Sequence, residues 1–69
     1  MPAVVLNLNG ESYELEGEPT VAHLLDALGL KQKPVAVEVN TDLIPADRHQ
    51  QTILAEGDQV EVVTLVGGG

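Results

Sequence analysis

The sequence predicts an α+β domain in which a single helix covers one mixed sheet of four to five strands. Three observations predict it. Short β-prone segments with apolar alternation recur at residues 4–8, 12–16, 35–39 and 59–66. One segment, residues 21–28, carries its apolar residues at a helical spacing instead. The 69 residues are enough for one domain and too few for two.

Val4, Leu6 and Leu8 fall on one side of the first strand. Asn9-Gly10 follows, a pair that accepts positive φ at both positions and so closes a hairpin. Tyr13 and Leu15 share a face of the second strand, and Gly17 and Pro19 end it. Thr20 is placed to cap a helix by accepting hydrogen bonds from free backbone N–H groups. Val21, Leu24, Leu25 and Leu28 then recur at i, i+3, i+4 and i+7, and Gly29 fits the left-handed position that stops a helix. Such a short helix must be held by packing against the sheet.

Val35, Val37 and Val39 share one side of a third strand. Asn40-Thr41-Asp42 reads as a polar turn, and Leu43-Ile44-Pro45 as a short edge strand, because Pro45 offers no N–H to a ladder. Residues 46–51 are polar and fit a helical turn, and Ile53 and Leu54 are expected to anchor the segment on the core. Glu56-Gly57-Asp58 turns the chain into its longest strand. That strand has apolar residues on both faces near its end, which suits a central place. The economical arrangement sets it between the first and third strands, parallel to the first, with the helix in a right-handed crossover. This is the β-grasp arrangement, with residues 1–66 as the domain and 67–69 as a flexible tail.

Composition excludes several functions. Without Cys the chain has no disulfide, no thiolate nucleophile and no Cys-based metal or iron–sulfur site. The formal charge is -8, from 11 acidic and 3 basic residues. Nucleic-acid binding needs cations against phosphates, and only Lys31, Lys33 and Arg48 are available, so no nucleic-acid partner is expected. The acidic field steers the chain toward basic partners. No apolar run is long enough for a bilayer and the first residues do not resemble a secretory leader, so the expected location is cytoplasmic, with no membrane partner. His23 and His49 are the only histidines, and nothing in the sequence brings them together around a metal. Glu14, Glu16 and Glu18 read as a solvated acidic surface. No bound cofactor is expected.

The most unusual feature is Gly67-Gly68-Gly69, directly after a strong strand. Without Cβ atoms these residues add nothing to a core, yet they can enter a channel too narrow for side chains. The last group is the Gly69 α-carboxylate. A carboxylate can attack the α-phosphate of ATP to give an acyl-adenylate, with magnesium and basic groups offsetting the charge. The chain has none of that apparatus, so ATP and magnesium would be used by an activating partner. A sulfur nucleophile displacing AMP would leave a thiocarboxylate at Gly69. In this reading the chain is a covalent carrier and catalyses nothing alone. The plain alternative is a frayed end.

The whole chain resembles the ThiS family, the ubiquitin-like sulfur carriers of thiamin biosynthesis. The resemblance rests on Leu8-Asn9-Gly10, on Thr20-Val21-Ala22-His23-Leu24-Leu25, and on Val35-Ala36-Val37-Glu38-Val39-Asn40 with Ile44-Pro45. It continues through Glu56-Gly57-Asp58-Gln59-Val60-Glu61-Val62 to the final Gly68-Gly69. It implies adenylation of Gly69 by an E1-like enzyme, sulfur from a donor such as cysteine desulfurase, and delivery to thiazole synthase. Gly68 would give the slim approach and Gly67 would lengthen the thread. The family often has a basic residue and then an aromatic one after the Ile-Pro step. Here Ala46-Asp47-Arg48-His49 follows, so Arg48 stands in for the basic residue and His49 at most replaces the aromatic. The exposed sheet face, with Val5, Val63 and Leu65, is the candidate partner surface beside Arg48.

Other readings share the tail. The small subunit of molybdopterin synthase has the same fold and end but tends to be longer, often with aromatic residues before the end. This short chain without Phe fits the thiamin reading better. A carrier for tRNA thiolation or a protein-conjugating modifier is equally permitted by the tail. A non-covalent β-grasp binding module is the rival from another class, and it should tolerate a residue added after Gly69.

Overall fold

The computed structural model describes residues 3–65, and its first turn is made by Asn9 and Gly10 at φ 51° and 85°. Both values lie in the left-handed region that a tight hairpin requires. The turn joins β1 (Ala3–Leu8) to β2 (Glu11–Glu16), which pair antiparallel from Ala3↔Glu16 to Leu8↔Glu11. Thr20 then caps α1 (Val21–Ala27), its hydroxyl accepting the His23 N–H at 3.1 Å. The helix stops where Gly29 turns to φ 76°. There Leu30 N–H donates to the Leu25 carbonyl at 2.8 Å and Gly29 N–H to that of Asp26 at 3.0 Å. These are the two bonds of a Schellman stop.

The remaining elements are β3 (Val35–Val39), β4 (Asp42–Ile44), a 3-10 turn (Ala46–Arg48) and β5 (Gln59–Thr64). The sheet order is β2-β1-β5-β3-β4. The last strand is central and parallel to β1, as the sequence predicts; it runs antiparallel to β3, and the whole is a β-grasp fold. The core lies between α1 and one sheet face. Leu6, Leu15, Val37 and Val60 of the sheet meet Val21 and Leu24 of the helix, all at most 1% exposed. Full burial of one such side chain contributes roughly 1.5–3 kcal/mol.

Two expectations are corrected. The second turn has two residues, Asn40 and Thr41, so Asp42 opens β4 and Pro45 falls outside it. The Pro45 carbonyl instead accepts Arg48 N–H at 2.9 Å and starts the 3-10 turn. Ile53 does not anchor the core. Ile53 is 65% exposed and Leu54 2%. Ile53 bridges Thr20, and Leu54 N–H donates to the Pro19 carbonyl at 2.6 Å. In extended backbone two successive side chains point opposite ways, so only one of them can face inward.

The central strand is held by asparagines from both turns. The β1–β5 ladder has only the register pairs Asn7↔Gln59 and Leu8↔Val60. Asn9 extends it with its side chain, which accepts Val62 N–H at 2.9 Å and donates to the Val62 carbonyl at 3.2 Å. On the other flank the Asn40 side chain accepts Gln59 N–H at 2.9 Å and donates to Asp58 at 3.0 Å. Asn40 tolerates its φ of 51°, whereas β-branched Thr41 at 73° is strained. Thr41→Gly is therefore expected to stabilise the domain by about 0.5–1 kcal/mol, the relief of that strain exceeding the added freedom of the unfolded chain. A urea midpoint that falls instead would show that the Thr41 side chain contributes more than its backbone strain takes away.

Candidate functional site

Gly67, Gly68 and Gly69, and Val66 before them, lie outside the described residues. What the structure places is the root of the tail. β5 ends at Thr64, and Leu65 N–H donates to the Pro34 carbonyl at 2.9 Å. This bond fixes the chain against the segment entering β3, two residues before the first of the three glycines.

The sheet surface turned away from the helix follows from strand alternation. Val60 and Val62 are buried, so Glu61 and Val63 point outward. Leu43, Glu38 and Glu61 form one exposed row across β4, β3 and β5. Val63 opposite Ala36 forms the next row on the same face. Leu43 is 66% exposed and Val63 55%. The expected grouping of Val5 with Val63 and Leu65 is corrected. All three are exposed, but Val5 precedes Asn7 by two residues while Val63 follows its partner Gln59 by four. That offset separates them by roughly 20 Å along the sheet. Val5 sits instead at the Glu56–Gly57 turn, its N–H donating to the Glu56 carboxylate at 2.9 Å and its carbonyl accepting Gly57 N–H at 2.8 Å.

Arg48 is exposed on the 3-10 turn. Its carbonyl accepts both the Thr52 N–H at 3.0 Å and the Thr52 hydroxyl at 2.8 Å, which sets the loop. The rings of His23 and His49 each bond a different backbone carbonyl. His23 Nε2 donates to the Glu16 carbonyl at 2.8 Å, and His49 Nε2 to that of Ile44 at 3.2 Å. Among the described residues no group of three or more His, Cys, Asp or Glu is placed to hold a metal ion. No helix among them is long and apolar enough to cross a membrane.

One feature was missed from the sequence. A groove of about 520 Å³ opens between α1, the segment before β3 and the 3-10 turn. Ala22, Leu25 and Val35 supply apolar walls, Leu65 borders it, and Lys31 and Lys33 line it with His49. The His49 carbonyl accepts Ala22 N–H at 2.9 Å, which ties this loop to the start of the helix. The available signal was the placement of two of the three cations of the chain two positions apart. Their apolar neighbours come from distant segments, and nothing in the sequence pairs them.

The geometry can be set beside known proteins. The ThiS family model matches residues 6–69. The chain is 35% identical over 66 residues to the sulfur carrier protein ThiS of Bacillus subtilis, covering 94% of this chain and 100% of that one. It is also 38% identical over 64 residues to a thiazole synthase of Paramagnetospirillum magneticum. There it covers 93% of this chain and spans only 20% of the length of the synthase. The crystal structure of the thiamine biosynthesis protein ThiS from Geobacter metallireducens superposes with a TM-score of 0.77 at 32% identity. That superposition covers 96% of this chain and 100% of the other. The shared sheet, the single helix and a match that runs through the last glycine lead to one conclusion: this chain belongs to the ThiS family.

Proposed function

We propose that this chain is a sulfur carrier of thiamin biosynthesis whose reactive group is the Gly69 carboxylate. The observation that carries the reading is the course of β5. The central strand of a ThiS-type sheet ends at Thr64, three positions before Gly67-Gly68-Gly69 in the sequence, and Leu65 beyond it is pinned to the Pro34 carbonyl. A rigid body bearing a side-chain-free thread is what delivery of a chain end into a closed site requires.

In this reading an E1-like enzyme supplies ATP and magnesium. A Gly69 carboxylate oxygen attacks the α-phosphorus, pyrophosphate leaves, and an acyl-adenylate forms. The terminal sulfur of a persulfide on a donor such as cysteine desulfurase then attacks the acyl carbon and displaces AMP, and a thiol reductant cleaves the resulting acyl disulfide, releasing the donor's own thiol. The product is a thiocarboxylate, which thiazole synthase consumes as its sulfur source. The chain contributes position and no catalytic group. The likeness of this whole domain to one fifth of thiazole synthases supports that enzyme as the client. The outward face near the tail, with Val63, Leu43 and the carboxylates of Glu38 and Glu61, is the surface offered to the E1-like enzyme.

The test is the intact mass of the chain after incubation with ATP, magnesium, its E1-like enzyme and a sulfur donor. Exchange of one oxygen for one sulfur, localised to Gly69, is the expected result. An unchanged mass, with an enzyme shown to be active, would leave a non-covalent binding module.

A further inference from the structure

A carrier is loaded by one protein and emptied by another, so its surface must present different features to each. Two surfaces lie near the root of the tail, and their charges are opposite. The outward sheet face bears exposed Glu38 and Glu61 beside Leu43 and Val63. The groove has an apolar interior of Ala22, Leu25 and Val35, with Lys31 and Lys33 in its lining. These are two of only 3 basic residues set against 11 acidic ones.

We propose that the groove is the docking point of the sulfur-accepting partner, and that it takes an apolar side chain of aromatic size flanked by carboxylates. The proposal rests on the carrier reading above. Three arguments support it. The groove, at about 520 Å³, is large enough for one ring system and falls in the size range of specific pockets. Its lysines complement acidic groups and disfavour a basic surface. An ATP-using enzyme sets cations against the triphosphate, and we take the entrance for the tail beside them to share that positive charge. That entrance suits the Glu38–Glu61 face and is repelled by Lys31 and Lys33. The groove is therefore left to the other partner. Leu65 borders the groove and leads into the tail, so a protein that holds the tail reaches the groove without a second site.

The test uses the full chain carrying Lys31→Glu and Lys33→Glu, two exposed changes that leave the core untouched. Sulfur loading by the E1-like enzyme is measured by intact mass, and affinity for thiazole synthase by titration calorimetry. Loading is expected to stay within about twofold of wild type while affinity for the synthase falls by about tenfold or more. Ala22→Leu, which fills the groove without altering charge, should weaken synthase binding in the same way. Unchanged synthase affinity in both variants overturns the groove assignment, as does a loss confined to loading. Wild-type chain that takes up no sulfur overturns the carrier reading instead, and the binding arm still decides the groove.

Discussion

Adding one alanine after Gly69 is expected to abolish thiocarboxylate formation while leaving the thermal unfolding midpoint unchanged. The argument is geometric. An extended residue displaces the terminal carboxylate by roughly 3.5 Å. Reactions between positioned groups are sensitive to far smaller errors, and a misplacement of about 1 Å can lower a rate by about 100-fold. The added methyl group also makes the thread wider at the point where it must be slimmest. The domain itself is indifferent, because the core is closed by residues 6–62. Sulfur uptake by the extended chain at the wild-type rate, measured by intact mass, would remove Gly69 from the chemistry.

The second large effect is on stability. Leu24→Ala is expected to destabilise the domain by about 3 kcal/mol. Leu24 is 0% exposed and lies on the helix face packed against the sheet. A chain of 69 residues has a total stability of only roughly 3–10 kcal/mol. The substitution therefore removes a third of it or more, and the midpoint should fall by about 15 °C. Urea and thermal unfolding measure this directly. A loss under about 1 kcal/mol would mean that the helix does not cover the core as the structure has it. At a temperature where the variant stays folded, sulfur loading should be normal, since Leu24 is buried and is not among the residues lining the groove with Leu65.

The fold was legible because its local signals agree. Asn9-Gly10, the Thr20 cap, the stripe from Val21 to Leu28 and the stop at Gly29 each specify one short element. Each does so through a different physical constraint, namely turn chirality, orphan N–H groups, helical period and positive φ. The central place of β5 could be read from apolar residues on both faces. The errors fall where alternation gives no phase. Ile53 and Leu54 are adjacent and equally apolar, and only the bridge to Thr20 decides which turns inward. Val5 and Val63 share a face, yet the β1–β5 register that separates them is set by non-local pairing. The groove was illegible for the same reason. Ala22, Lys31, His49 and Leu65 become neighbours only after the sheet has formed. The chemistry proposed for the tail rests on residue type and position alone, and residues 66–69 lie outside the described structure.

The central position of β5 also shapes how the domain folds. Without it the sheet is two separate hairpins, β1 with β2 and β3 with β4. An isolated hairpin is at best marginally stable in water. Neither half can persist for long until residues 59–64, late in sequence, insert between them and pair on both sides. The bonds of Asn9 to Val62 close a loop of 53 residues, so most of the loop entropy is lost before the contacts that repay it are made. Folding is thus cooperative and slow for so small a chain, and a half-assembled sheet is a fleeting species. The strand that completes the fold is thus also the one that directly precedes the last residues of the sequence.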